Sequence, residues 1–482
     1  MKILLTGATG YVGSQLAPRL LAAGHDVRVL VRDPGRLPIA PWTADADVVR
    51  ADVLERNTLR VALEGVDAAY YLVHSMNGAS TTFQDQDRLA GLAFGEAASQ
   101  AGLGRLVYLG ALGDPGAQLT PHQRSRHETG AALAAAGVSV LELRAGPIVG
   151  AGSLPFEMVR YLTERVPIMV CPRWVYTKVQ PIGLADALSY LEGGLAIPLG
   201  GHEIVEVGGG DVLTYSDMML LYARKRGLRR RMLRAPVLTP RLSSYWVKWV
   251  TPLSASYARP LVEGLRNEVI VRDVRARALF PDIEPVTYDK AVSQALSDLH
   301  PDAMTPSPQP CPKEHSALSS THSRGMIVER RTISSSKDQA ELFQAVLEVG
   351  GRAGWYLDWA WRLRGAADRL LGGVGLRRSG RHELEVGGEL DFWRVEALSP
   401  GRRRLLLKAE MRVPGDAWLE FAIAPGHEKG SVLQQTTYFA PRGLAGILYW
   451  YGLLPIHRLI FKGMARRLAC ANERWSSKST TT

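Results

Sequence analysis

The chain has 482 residues, 46% of them hydrophobic and 22% charged, with a net charge of +11. That length predicts two or three domains, and the apolar content excludes a disordered chain. Three cysteines (Cys171, Cys311, Cys470) without C-x-x-C spacing argue against a disulfide framework, and no metal site is expected.

The basic excess is clustered in Arg224-Lys225-Arg226, Arg229-Arg230-Arg231 and Arg402-Arg403-Arg404. No nucleic-acid motif accompanies these runs, so a solvated basic face is expected and a nucleic-acid partner is not. An apolar strand pattern already at Lys2 predicts no signal peptide and a cytoplasmic location.

Lys2–Thr6 reads as a buried strand. Gly7, Gly10 and Gly13 follow within Gly7-Ala8-Thr9-Gly10-Tyr11-Val12-Gly13, and an amphipathic helix runs from Tyr11 to about Ala23. Strand, glycine turn and helix gather backbone N–H groups and a positive helix end at one point, which suits a pyrophosphate. After Gly24-His25, Val27–Val31 is a second buried strand ending in Arg32-Asp33-Pro34, which closes a βαβ unit. An acid at that strand end holds a ribose 2′-OH, whereas an arginine accommodates a 2′-phosphate. Arg32 comes first, with Arg36 nearby, so NADP (NADPH) is expected over NAD.

Val48-Val49 opens a third strand that ends at Asp52; Ala68–Val73, Arg105–Leu109 and Val138–Leu143 are the next three. Helical patterns at Leu54–Leu63, Gln84–Gln100 and His127–Ala136 intervene. This alternation predicts an α/β fold with a Rossmann-like, doubly wound parallel sheet. Beyond Gly150 the pattern loosens into a helix closing near Gly193, a strand at Glu203–Val207 and basic helical sequence, as a substrate lobe would.

The expected boundaries are 1–300 for the NAD(P)-binding domain, with its lobe at about 150–300, 301–324 for a Pro- and Ser-rich linker, and 325–475 for a second, α+β domain. There, Met326–Ile333 is a strand and Ser336–Val349 a helix with a capping serine. Trp355–Leu371 is an aromatic helix. Leu390–Glu396, Arg404–Val413, Trp418–Ile423 and Ser431–Phe439 are antiparallel strands bounded by Gly and Pro. Gly443–Met464 is apolar but interrupted by Pro455, His457, Arg458 and Lys462. A buried packing helix is expected, with peripheral membrane contact as the alternative. Strands wrapped round it would enclose an apolar cavity, filled by an apolar small-molecule ligand or by the domain's own aromatics.

The first domain resembles the short-chain dehydrogenase/reductase superfamily, in particular atypical NmrA-like members with the extended-type glycine motif. Trp355-Tyr356-Leu357-Asp358-Trp359, Leu390-Asp391-Phe392-Trp393 and Phe439-Ala440-Pro441-Arg442-Gly443-Leu444 resemble DUF2867, a domain of unknown function with a helix-grip, START- or SRPBCC-like fold. The fusion resembles a family of bacterial NAD(P)-binding oxidoreductases. The superfamily places a Ser after the fifth strand and a Tyr-x-x-x-Lys pair on the next helix. Here Ala111 falls at the Ser position, His122 at the Tyr and Arg126 at the Lys, and these last two are the catalytic candidates. His122 could act as acid or base from an ordinary pKa near 6.5. Arg126 could hold ribose or phosphate, but it stays protonated and cannot share a proton as Lys does.

The resemblance also implies cofactor contacts. Gly7, Thr9, Gly10, Tyr11, Val12 and Gly13 lie in the phosphate turn, and Arg32 at the second strand's end. Asp52 and Val53, with Leu72 and Val73, line the adenine side. His74 faces the nicotinamide, as do Ala145, Gly146, Pro147 and Ile148 in the loop after the sixth strand. Three functions stay open at this level. One is reduction of a small or apolar carbonyl or quinone-type acceptor. A second is non-catalytic NADP(H) binding as a redox sensor or scaffold, which the missing Ser-Tyr-Lys set favours. The third is membrane-associated handling of a lipid or quinone.

Overall fold

The computed structural model describes residues 1–38, 40–74, 82–114, 116, 119–235, 264, 266–304, 316–350, 354–370, 372–376, 384–426 and 430–470. The chain divides into two compact units, Met1–Pro308 and Gln309–Thr482.

Seven strands form the main sheet of the first unit: β1 (Lys2–Thr6), β2 (Asp26–Val31), β3 (Asp47–Arg50), β4 (Ala68–Tyr71), β5 (Arg105–Ala111), β6 (Val140–Ala145) and β11 (His202–Val207). Their order is β11-β6-β5-β4-β1-β2-β3, and every pairing is parallel. This is a Rossmann-like sheet, and its direction of winding reverses between β1 and β4. β4 and β6 are buried along their whole length, as strands covered on both faces must be.

Helices α1 (Tyr11–Ala22), α2 (Pro41–Asp45), α7 (Leu184–Gly193) and α9 (Arg275–Leu279) cover one face, over Ile3, Leu5, Val29, Val107 and Leu143. Helices α3 (Arg56–Leu63), α4 (Thr82–Gln100) and α5 (Pro121–Ala134) cover the other, over Leu4, Tyr71, Leu106 and Tyr108. A side chain at Gly95 of α4 would stand 2.5 Å from the Leu133 carbonyl oxygen of α5, so the two helices meet nearly backbone to backbone.

The lobe packs α6 (Leu154–Arg165), α8 (Tyr215–Lys225) and α10 (Tyr288–Ser297) round Phe156, Met218, Tyr222 and Val292. Three short pairs lace it: β7 (Ile148–Val149) with β10 (Ile182–Gly183), β8 (Ile168–Cys171) with β13 (Arg231–Arg234), and β9 (Lys178–Val179) with β12 (Leu213–Thr214). Part of the basic helical sequence expected in the lobe, at 236–263, lies outside the described residues. So do Cys311, Leu371 and the end of the second domain past 470.

The second unit is an antiparallel sheet of β14 (Ser316–Ser323), β15 (Met326–Ser335), β16 (Glu389–Leu390), β17 (Trp393–Ser399), β18 (Arg404–Ala409), β19 (Gly415–Pro425) and β20 (Ser431–Pro441). The strand order is β14-β15-β20-β19-β18-β17-β16. With it go α11 (Gln339–Leu347), α12 (Asp358–Leu370) and α13 (Gly443–Ala469). Leu405, Leu407, Leu419 and Phe421 meet Phe461, Met464 and Leu468 of α13 in one core.

Three expectations need correction. Ser316–Ser323, inside the expected 301–324 linker, is an edge strand paired with all but the last residues of β15. Its serines and threonines give no apolar period because it faces solvent, while its backbone is tied to β15. The cap of α11 is Asp338, whose carboxylate accepts from the N–H groups of Ala340 and Glu341 at 2.8 Å, and not Ser336. The expected packing helix, α13, is buried along one side only: Leu448 (64% exposed), Ile456 and Leu459 form an outer apolar stripe. It is also long and apolar enough to cross a membrane by length and composition.

The first unit's central seam runs through one hydroxyl. Thr6 is fully buried, its Oγ1 donates to the Tyr70 carbonyl at 3.0 Å, and it accepts the Leu72 N–H at 3.1 Å. Thr6→Val keeps the shape and strands both partners. We expect a loss of about 1–3 kcal/mol, read as a lower urea midpoint for the first unit's transition; an unchanged midpoint contradicts this assignment.

Candidate cofactor and reaction site

The glycine turn follows β1 directly. Gly7 has φ +74°, and a Cβ there would lie 2.7 Å from the Leu72 carbonyl oxygen. A Cβ at Gly13 would collide with the Gly7 carbonyl, so α1 can pack on the turn only through glycine. Gly10 donates its N–H to Gly7 O at 2.9 Å and caps α1 without a side chain, and no acid stands in the first turn. The helix's positive end therefore meets no acid from its own first turn, and the turn fits a diphosphate. Thr9 and Gly10 are exposed, Tyr11 and Val12 half-buried. Tyr11 reaches Gly150, where its hydroxyl occupies the space a Cβ would need.

At the end of β2, Asp33 is engaged locally: its carboxylate accepts the Gly35 N–H at 3.0 Å and caps the turn Pro34–Arg36. Arg32 and Arg36 are exposed there. Exposed Arg50, in register with Val31 on the adjacent strand, adds a third guanidinium that sequence reasoning passed over. The Asp52 carboxylate accepts the Leu54 N–H at 3.0 Å, and Val53 beside it is buried. Gly146 packs so tightly on the Gln180 carbonyl that a Cβ would clash, and Ile148 pairs with Ile182; the Ala145–Ile148 loop is thus fixed to the lobe.

Beyond β4 lies a cluster that the sequence named only in part. Leu72, Val73 and His74 leave the strand half-buried. His74 Nδ1 is 3.0 Å from Asp87 Oδ2 of α4, and the same oxygen accepts from Ser125 Oγ of α5 at 3.2 Å. The His122 ring stands 4.9 Å from that of His74, edge to face. His122 is held at the start of α5 by a capping box in which Thr120 and Gln123 satisfy each other's backbone N–H groups.

Arg126 turns toward β5. It donates to the Leu109 carbonyl and lies 5.0 Å over the Tyr108 ring, while Tyr108 donates its hydroxyl to the Arg126 carbonyl at 2.9 Å. His127 Nε2 is 3.0 Å from the Ala111 carbonyl. Asp87 and Ser125 were missed. Asp87 sits on the buried stripe of α4 with Ala90, Phe94 and Ala98, and a carboxylate on an apolar stripe was the available signal.

The charge state of His122 departs from expectation. Burial, then His74 and Arg126, push its pKa down to about 3. Burial also lowers that of His74, against the pull of Asp87. Near neutral pH, His122 is a neutral imidazole that offers an N–H, and not an imidazolium acid.

Residues 7–144 match the family described as NAD(P)H-binding, and residues 325–464 match DUF2867, a family of unknown function. The chain is 31% identical over 116 residues to a 3 beta-hydroxysteroid dehydrogenase/Delta 5-->4-isomerase of Mycobacterium tuberculosis, covering 22% of this chain and 30% of that protein. It is 37% identical over 130 residues to a (4-alkanoyl-5-oxo-2,5-dihydrofuran-3-yl)methyl phosphate reductase of Streptomyces griseus, covering 26% and 42%. It is 28% identical over 242 residues to a ceramide reductase of Caulobacter vibrioides, covering 48% and 73%. The chain thus spans less than half the length of the first two relatives. A nucleoside-diphosphate-sugar epimerase structure from Staphylococcus aureus superposes with a TM-score of 0.50 at 16% identity, over 61% of this chain and 100% of that one, and shows the fold alone. The sheet, the glycine turn and the family match together mark the first unit as an NAD(P)H-binding domain with a Rossmann-like fold.

Gly13→Ala should weaken NADPH binding at least tenfold in a fluorescence titration while far-UV circular dichroism is retained; unchanged binding would remove the turn from the site. A second outcome concerns acid. Unfolded, His122 takes a proton below about pH 6.5; folded, it does so only near 3. In between, the unfolded state binds more protons, so stability falls as pH drops from about 6.5 to 3 and is untouched by this group above that window. Relative to His122→Leu, the native chain should lose up to about 1.4 kcal/mol more per pH unit there. Parallel stability curves for the two proteins contradict the burial of a neutral His122.

Proposed function

We propose that the first unit is an NADP(H)-dependent reductase acting on an apolar carbonyl compound. The observation that carries this reading is the Asp87–His74–His122 group beside the glycine turn, at the carboxyl ends of β4 and β5, where a parallel sheet places its ligand. Relatives named for a hydroxysteroid and for ceramide support an apolar substrate. Exposed Arg32, Arg36 and Arg50 support a 2′-phosphate, since Asp33 is already engaged by its own turn.

The dinucleotide supplies the hydride. The chain's own residues do the rest. The glycine turn and the α1 N-terminus bind the diphosphate. His122 donates its N–H to the substrate's carbonyl oxygen, where negative charge develops, and a neutral imidazole suits this electrophilic role. As the oxyanion forms, that proton moves to it and the other ring nitrogen takes one from water. His74, fixed by Asp87, which Ser125 holds in turn, orients His122 edge-on. Arg126, anchored on Tyr108, keeps a positive charge close by.

A second reading, a non-catalytic NADP(H) sensor, is favoured by Ala111, His122 and Arg126 in place of the Ser-Tyr-Lys set. The seven-stranded sheet packed by the 27-residue α13 supports a helix-grip reading of the second unit.

NADPH oxidation followed with long-chain ketones, steroid ketones and quinones decides between the two. We expect turnover that falls at least 100-fold in His122→Ala with NADPH affinity retained. We also expect Arg32→Glu to shift preference at least tenfold toward NADH. Tight NADPH binding with no oxidation across the panel would favour the sensor.

A further inference from the structure

The interior of the second unit is not uniformly apolar. Inward positions of β15 and β20 carry Glu329, Arg331 and Gln435, with exposures of 0%, 3% and 0%. Glu329 pairs in register with Thr437, and Arg331 with Gln435, so the polar groups share one patch of the sheet. Helix α13 crosses this patch with His457, Arg458, Phe461 and Met464.

The charges do not balance. Arg458 Nε bonds one oxygen of Glu329 at 3.0 Å, and Arg331 Nη2 lies 3.2 Å from the other. Two guanidiniums thus share one carboxylate, and Arg364 acts on the neighbouring His457 as a further cation. Burial pushes the Arg331 pKa down, Glu329 opposes that shift and Arg458 adds to it.

Hydrogen bonding is incomplete at the same place. Among the described residues, Arg331 Nη1, Gln435 Oε1 and His457 Nδ1 are buried without a hydrogen-bond partner. The Gln435 amide nitrogen donates to the Met464 sulfur at 3.3 Å, a weak acceptor. Half a turn of that amide presents a donor where Oε1 stands. Buried polar groups are rarely left unpaired, and three converging on one patch call for a common partner.

The surroundings define that partner's other end. The Arg331 guanidinium lies 5.8 Å over the Phe461 ring, Phe461 is 6.2 Å from Trp361, and Trp361 stacks 5.1 Å from Phe392. An aromatic wall leads away from the charged patch.

We propose that this patch binds the head of an apolar carboxylate, with Arg331, His457 and Gln435 as its hydrogen-bond donors and its body along Phe461 and Trp361. This site lies wholly in the second unit and does not depend on the reductase reading.

The test uses the purified full chain and two matched pairs of probes: laurate against 1-dodecanol, and 2-naphthoate against 2-naphthol. Binding is read by calorimetry and tryptophan fluorescence. At least one acid should bind saturably and at least tenfold more tightly than its neutral partner. Arg331→Gln should erase that preference while circular dichroism and NADPH binding by the first unit are unchanged. Should Arg331→Gln fail to fold, the acid-against-neutral comparison on the unaltered chain decides alone. Acids that bind no tighter than their neutral partners, or no saturable binding by either acid, would overturn the proposal and leave the patch to bound water.

Discussion

The first unit depends on how closely the turn after β1 approaches the backbone leaving β4. The Gly7 backbone lies against the Leu72 carbonyl with no space for a Cβ, and the Thr6 hydroxyl bridges the two strands through Tyr70 and Leu72. This contact sits at the reversal of strand order, between β1 and β4. It does two jobs at once. It aims the α1 N-terminus into the crevice, and it sends Leu72, Val73 and His74 out beside it. The glycine turn and the histidine cluster therefore share one backbone constraint.

A second constraint is the nearly bare contact between α4 and α5. With Gly91 and Gly95 facing Thr129, Ala132 and Leu133, the helices come close enough for Asp87 and Ser125 to share a hydrogen bond. The same closeness buries His74 and His122 and lowers the pKa of both. The tight packing that orients the histidines thus also makes them hydrogen-bonding groups and not ordinary acids. An arginine in the position of the usual lysine fits this arrangement. Its charge disfavours protonated His122, and its guanidinium is anchored on Tyr108 and the Leu109 carbonyl.

Much of the Rossmann-like sheet was legible because buried parallel strands are continuous apolar runs and their turns carry glycine. The phosphate turn was legible for the same local reason. The two-residue strands of the lobe were not, since a pair such as Ile148–Val149 has no period to read. Ser316–Ser323 read as linker because an edge strand held by backbone bonds needs no apolar side chains. His74 and His122 were each visible, but 48 positions apart in sequence, and nothing local announced that Asp87 and Ser125 would join them. Nor does composition reveal that Glu329 and Arg331 point inward, because alternation on an exposed strand looks the same. Long-range packing set what local pattern could not.

The central claim is that a nicotinamide dinucleotide lies in the crevice between β1 and β4, on the glycine turn. Hydrogen exchange of the full chain with and without NADPH tests it most directly. The account predicts slowed exchange concentrated at backbone amides of residues 7–16 and 71–74, with the sheet of the second unit unchanged. NADPH that binds without slowing exchange in those two segments, or that slows it only elsewhere, would contradict the account.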